Sequence, residues 1–248
     1  MSEQTTEPDQ SAKTITINLQ DMAQRYLGAM QRLHDVAALT VQGTREVNER
    51  GYDEMAAGAR FLPLQNQRRS FANAKPIAER WLLRNILTDA FGALVTFLED
   101  TRTICALNDW KNAGSDQATL QQIFQEQRAD FVRKDSAARF AHLKETHDLD
   151  LHLSAQIIGL EALAACLTQR DGIVPKDGPP LVVSLVSVEV VAAPPGDERK
   201  VQPQLGESRR EFAPGTEVAL EKVEYLNVIG TVALFMNATL RRLQEMLA

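Results

Sequence analysis

The chain has 248 residues, 27 basic and 33 acidic side chains, and a formal net charge of −6. That length suffices for one domain whose core buries roughly 70% of the unfolded surface without disulfides or metals. With 44% hydrophobic and 24% charged residues, the composition excludes a collagen-like chain, a coiled-coil rod, a disulfide scaffold and a wholly disordered chain. The negative balance also excludes a global positive field that would draw the whole molecule onto nucleic acid or acidic lipid.

Residues 1–14 are polar and acidic, with no apolar run of the kind a secretory leader needs, and are expected to be a disordered tail. Residues 15–248 are expected to form a single helical domain. From about 18 to 50, Met22, Tyr26, Met30, Leu33 and Ala37 recur at steps of three and four, which predicts a helix capped by Asn18 and stopped by Gly51. Residues 51–72 read as irregular. A second helix is predicted from Pro76, a residue suited to a first turn, with Ile77, Trp81, Ile86, Ala90, Leu94, Leu98, Thr101 and Cys105 as its buried face. A third begins at Ser115 or Asp116 and runs to about 145, its apolar side including Phe131, Phe140 and Leu143, with a break near Lys134-Asp135-Ser136. A fourth covers about 150–169, with Asp148 or Asp150 as its N-cap, and ends at Asp171-Gly172.

The character then changes, with a β-containing insertion expected over about 175–223. Residues 181–193 are Val-rich enough for a strand, and Glu217–Val223 alternates weakly as another. The polar segment 194–212 between them reads as a long mobile loop. A last helix carries Leu226, Ile229, Ala233, Met236, Leu240, Leu243 and Leu247 in a heptad-like seam, which suits either the intramolecular core or a homodimer. The expected fold class is mainly α: a helical bundle of about five helices with a small β-hairpin-like insertion before the C-terminal helix.

Several chemistries are missing. Neither phosphate-cradling glycine pattern, G-x-G-x-x-G or G-x-x-x-x-G-K-[ST], occurs, and there is no G-x-S-x-G elbow. Cys105 and Cys166 are far apart in apolar helical patterns and read as small buried thiols in a reducing compartment. The longest apolar stretch, 181–193, is too short to cross a bilayer. The expected location is therefore cytoplasmic, with no membrane, cofactor or metal.

Two clusters stand out. His142, His147 and His152 are interleaved with Glu145, Asp148 and Asp150. An extended chain would place Asp148, Asp150 and His152 on one face as a divalent-ion site, whereas steps of five along a helix place successive histidines about 140° apart. Residues 60–84 carry Arg60, Arg68, Arg69, Lys75, Arg80 and Arg84 against Glu79 alone. Phe61, Phe71 and Trp81 interleave them, as stacking aromatics do in nucleic-acid readers. The candidate nucleic-acid-binding residues are Arg60, Arg68, Arg69, Arg80 and Arg84, although Trp81 lies on the apolar face and is expected in the core.

The helix end C-L-T-Q-R-D-G-I-V (Cys166 to Val174), followed by a polar break and a Val-rich strand, resembles the C-terminal part of bacterial HEPN proteins (higher eukaryotes and prokaryotes nucleotide-binding). F-A-P-G-T-E-V-A-L (Phe212 to Leu220), before a last helix, also resembles that group. The resemblance spans thirty to fifty residues and implies a helical bundle. It also implies a link to toxin–antitoxin or phage-defence systems, in which many such proteins are ribonucleases. That group's motif has an Arg, usually then a polar residue, with a His five positions after the Arg. This chain has Ala164, Ala165 and Gln169 at those positions, so the resemblance implies a degenerate member with no catalytic residue. The leading expectation is thus a non-catalytic protein-interaction module, an accessory or regulatory component with a protein partner or a second copy of itself. The alternatives are RNA or other nucleic-acid binding through 60–84, and a divergent HEPN-type ribonuclease or a metal-dependent hydrolase using the histidine cluster.

Overall fold

The computed structural model describes residues 18–58, 69–114, 128–192 and 201–248; the expected tail at 1–14 lies outside them, as do Arg60, Phe61 and Arg68. Asparagines open the first two helices. Asn18 Oδ1 accepts the N–H groups of Gln20 at 3.0 Å and Asp21 at 3.2 Å, starting α1 (Leu19–Glu46). Its Met22, Tyr26, Met30, Ala37 and Val41 line a buried stripe. Gly51 does not stop this helix. The break comes earlier, at Val47-Asn48, and α2 (Glu49–Gly58) runs through Gly51, whose N–H donates to Asn48 Oδ1 at 2.9 Å. A second side-chain cap outweighs the glycine's poor helix propensity.

Helix α3 (Phe71–Ala113) is 43 residues long and ends at Gly114, which adopts the left-handed conformation with φ 62°. Pro76 lies inside it rather than at its first position. Ile86, Ala90, Leu94, Leu98, Thr101 and Cys105 are buried as expected. Ile77 and Trp81 are not: they are 39% and 56% exposed, because the bundle does not cover this face of α3 in its first turns.

The chain is helical again at 128–133 and breaks at Lys134-Asp135. Asp135 caps α4 (Ser136–His147), its carboxylate accepting the Ala138 N–H at 2.8 Å. Neither Asp148 nor Asp150 caps the next helix. Asp148 ends α4 in the left-handed conformation with φ 53°, its N–H donating to Leu143 O and Lys144 O, and Asp150 pairs with Lys144 at 3.4 Å. Helix α5 (Ser154–Gln169) instead follows Leu153, which has φ 64°.

Strands β1 (Leu181–Ala192) and β2 (Val201–Phe212) form an antiparallel hairpin registered from Leu181↔Phe212 to Ala192↔Val201. Much of the polar segment expected as a loop is therefore strand; residues 193–200 lie outside the described residues. Glu217–Val223 is not a strand: Glu217 makes an isolated bridge to Ile173, and α6 (Lys222–Leu247) begins at Lys222. Polar β2 is held from two sides. It is hydrogen-bonded along β1, and Arg210 reaches the start of α6, with Nε 2.7 Å from Glu224 Oε1 and Nη2 2.9 Å from Glu221 Oε1.

Helix α6 is the central element, packed on α1, α3, α5 and β1. Of the heptad-like seam, Ile229, Met236, Leu240 and Leu243 are buried within the one chain, and Leu226, Ala233 and Leu247 are half-buried against the core. Thr231 seals the sheet edge: its Oγ1 accepts the Val186 N–H at 2.9 Å and donates to Asn227 O at 2.7 Å. Helix α5 meets β1 at Gly159, where a Cβ would lie 2.9 Å from Val182 O. Helices α3 and α6 are long and apolar enough to cross a membrane, and 44% and 56% of their most apolar windows are buried inside the bundle; core helices of soluble proteins have the same character. The architecture is mainly helical, with a small two-stranded antiparallel hairpin before the C-terminal helix.

Candidate nucleic-acid interface

The first turns of α3 project Ile77, Arg80, Trp81 and Arg84 on one side, at the spacing that aligns residues along a helix face. Arg69 precedes the helix, and the turn after α5 supplies Leu167 and Asp171. Together they surround an open cleft of about 340 Å³. Three of the five arginines named from sequence meet here, and the other two, Arg60 and Arg68, lie outside the described residues. Lys75 faces the Phe71 ring of its own helix at 5.4 Å, and Phe71 packs on Tyr52 with ring centroids 5.8 Å apart, so neither belongs to the cleft.

The three arginines are not equivalent. Arg80 is a wall: Nη1 donates to Asp171 O at 3.2 Å and pairs with Glu217 Oε1 at 2.8 Å. Its stem passes Gly172, whose φ of 82° and 3.3 Å approach of Leu167 to a would-be Cβ both select glycine. Beneath the wall, Lys222 pairs with Glu79 at 3.0 Å, and the Tyr225 hydroxyl donates to Glu79 O at 3.3 Å. Burial, with the Glu79 charge adding to it, pushes the Tyr225 phenol up to about 12, so it remains a neutral hydrogen-bond donor. Arg69 is exposed and Arg84 half-buried, and Trp81, which lines the same cleft, is exposed over more than half of its residue surface. An exposed indole beside guanidinium groups can stack a base while the cations meet its phosphates.

The positions compared with the HEPN motif lie elsewhere. Ala164 packs half-buried against the core, while Ala165 and Gln169 line a larger groove of about 800 Å³ between α5 and the hairpin. Cys166 is buried and Cys105 fully so, both as free thiols; burial pushes Cys105 up to about 12 and raises Cys166, which keeps both protonated and unreactive.

The structure divides the histidine cluster. His152 lies exposed in the turn before α5. His142 and His147 come together with ring centroids 5.9 Å apart, closer than an ideal helix of five-residue steps implies. Among the described residues no group of His, Cys, Asp and Glu is arranged to hold a metal ion. Beside these two histidines lies a residue not singled out from sequence: Arg102, fully buried, its guanidinium carbon 5.8 Å from the Phe131 ring centroid. The available signal was an arginine one turn after Leu98 and one before Cys105, on an otherwise apolar stripe. Comparison with protein-family models, curated proteins and solved structures finds no match to this chain.

Proposed function

We propose that this chain is a binding module for single-stranded nucleic acid and that the cleft of Arg69, Arg80, Trp81 and Arg84 is its contact surface. The observation that carries this reading is the exposed Trp81 indole among guanidinium groups, at a position where helical periodicity alone expects a core residue. Arg80, tied to Glu217 and the Asp171 carbonyl, shapes the cleft, while Arg69 and Arg84 are the cations that meet phosphate. Such a site binds by charge and stacking and has little sequence preference.

Fluorescence anisotropy with a labelled single-stranded RNA pool tests this, with RNA integrity followed in the same samples. Intact RNA and affinity that falls steeply with salt are expected, and reversing Arg69 and Arg84 to Glu should reduce the log–log salt slope by about two. Binding unchanged in that variant, or none in the wild-type protein at low salt, contradicts the reading.

A second reading, a protein partner, is supported by the outer face of α1, where Val36 and Leu39 are exposed. Under that reading, Leu39→Glu abolishes self-association or partner capture detected by light scattering and leaves RNA binding unchanged. A wild-type protein that is monomeric and captures no partner counts against it.

A further inference from the structure

At the far end of α3 from the cleft, Arg102, Cys105 and Asp109 lie along one face, opposite α4 and the helical turn that carries Phe131. Arg102 is fully buried, and among the described residues none of its three guanidinium nitrogens has a hydrogen-bond partner. His142 Nε2 and His147 Nε2 are buried and unpartnered as well. The groups form one cluster: the guanidinium carbon lies 5.8 Å and the His142 ring 5.5 Å from the Phe131 ring centroid, with His147 5.9 Å beyond His142.

The surroundings fix these groups without satisfying them. Asp109 Oδ2 lies 2.6 Å from His147 Nδ1, which directs Nε2 inward, and Thr146 Oγ1 lies 3.4 Å from His142 Nδ1. Glu99 is the carboxylate that acts on Arg102, and it is already bonded to Arg128. Burial works against the charged form of Arg102, with Glu99 opposing it and Arg128 adding to it. The Phe131 ring lies 5.8 Å from the guanidinium carbon and offers no lone pair to its N–H groups. An unpaired buried cation is among the costliest features a fold can carry.

The free valences are almost all donors. A guanidinium has five N–H groups, neutral His142 can present Nε2–H, and His147, whose Nδ1–H faces Asp109, presents Nε2–H when it carries both protons. The complementary ligand is rich in acceptor oxygens and negatively charged, and a tetrahedral oxyanion engages more donors than a two-oxygen carboxylate. Asp109, with half its side chain exposed, marks the solvent-facing side of the cluster. We propose that Arg102, His142 and His147 form an oxyanion-binding site for phosphate, either free or as the terminal group of a monoester. The site is separate from the cleft and independent of the reading given for it.

The test is thermal unfolding of the whole chain with increasing inorganic phosphate, against sodium chloride at matched ionic strength and against acetate. Phosphate is expected to raise the melting temperature saturably and acetate not to. Arg102→Met should weaken the half-maximal concentration about tenfold or more. His147→Gln, which can still donate to Asp109, is the second variant and should weaken it as well. The variant reversing Arg69 and Arg84 should retain the full phosphate effect. Repeating the titration with a nucleoside monophosphate separates the two sources: an equal effect assigns the site to monoesters, and a lost effect to the free ion. Three results overturn the proposal. They are no phosphate effect beyond that of chloride, the same effect in Arg102→Met and His147→Gln as in wild type, or loss of the effect only in the cleft variant.

Discussion

Arg139 and Arg102 are both buried, both touch Phe131, and are treated in opposite ways. Arg139 Nε donates to the Phe131 carbonyl at 3.2 Å and Nη2 to the Val132 carbonyl at 2.6 Å, so it closes the end of the helical segment 128–133, where a cation is favoured. Burial works against its charge as it does for Arg102, and the carboxylates of Glu161 and Asp135 oppose that effect. Arg102 lies near the ring of the same phenylalanine, and its nitrogens have no hydrogen-bond partner among the described residues. The difference separates cations that build the fold from one that the fold merely contains. The same contrast extends to the hairpin, where Arg210 is matched to two carboxylates.

If the satisfied polar groups hold the fold, their removal should be costly in proportion to what is left unpaired. Glu224→Ala should have the largest effect. It deprives Arg210 of a charged partner and the Glu221 N–H of its acceptor at 2.7 Å, and about 2–3 kcal/mol should be lost in urea unfolding. A loss below about 0.5 kcal/mol would show that the hairpin is held by β1 alone. Thr231→Val comes next, because it leaves the Val186 N–H without an acceptor at nearly unchanged side-chain volume; a loss of about 1–2 kcal/mol is expected, together with faster amide exchange at Val186. Unchanged exchange would mean that another group covers that edge.

His142 should show the smallest effect, and it belongs to the other side of the comparison. Burial, then the positive charges of Lys134, His147 and Arg102, lower its pKa below the ordinary 6.5. The folded state therefore takes up this proton less readily than the unfolded chain. Its contribution to stability is present above pH 6.5 and is lost as pH falls below it. In phosphate-free buffer, the difference in stability between wild type and His142→Asn should be constant from pH 8 to 7 and shift in favour of the variant towards pH 5. A difference that does not change with pH contradicts this assignment.

The sequence was most legible where one physical rule acted alone. The buried stripe of α3 from Ile86 to Cys105, the break at Lys134-Asp135, strand β1 and helix α6 follow from apolar periodicity and capping chemistry. Strand β2 was hidden because its stability comes from β1's backbone and from Arg210 gripping α6, not from its own polar residues. Gly51 and Pro76 misled because a cap at Asn48 and the length of α3 outweigh local propensity. Periodicity places Trp81 on a helix face but does not say how far along that face the bundle extends, so its exposure became visible only in three dimensions. The cationic half of the cleft was legible as a charge window. The Arg102 cluster was not, since it depends on the meeting of residues forty positions apart.

The most direct test of the contrast is a pair of urea unfolding measurements, on Arg139→Met and Arg102→Met, in phosphate-free buffer. Arg139→Met should lose about 2–3 kcal/mol, because two carbonyls lose their donor. Arg102→Met should be as stable as wild type or more so, because an unpaired buried charge is replaced by a side chain that packs. Losses of similar size in both variants would show that Arg102 is as much part of the fold as Arg139, and would contradict the account.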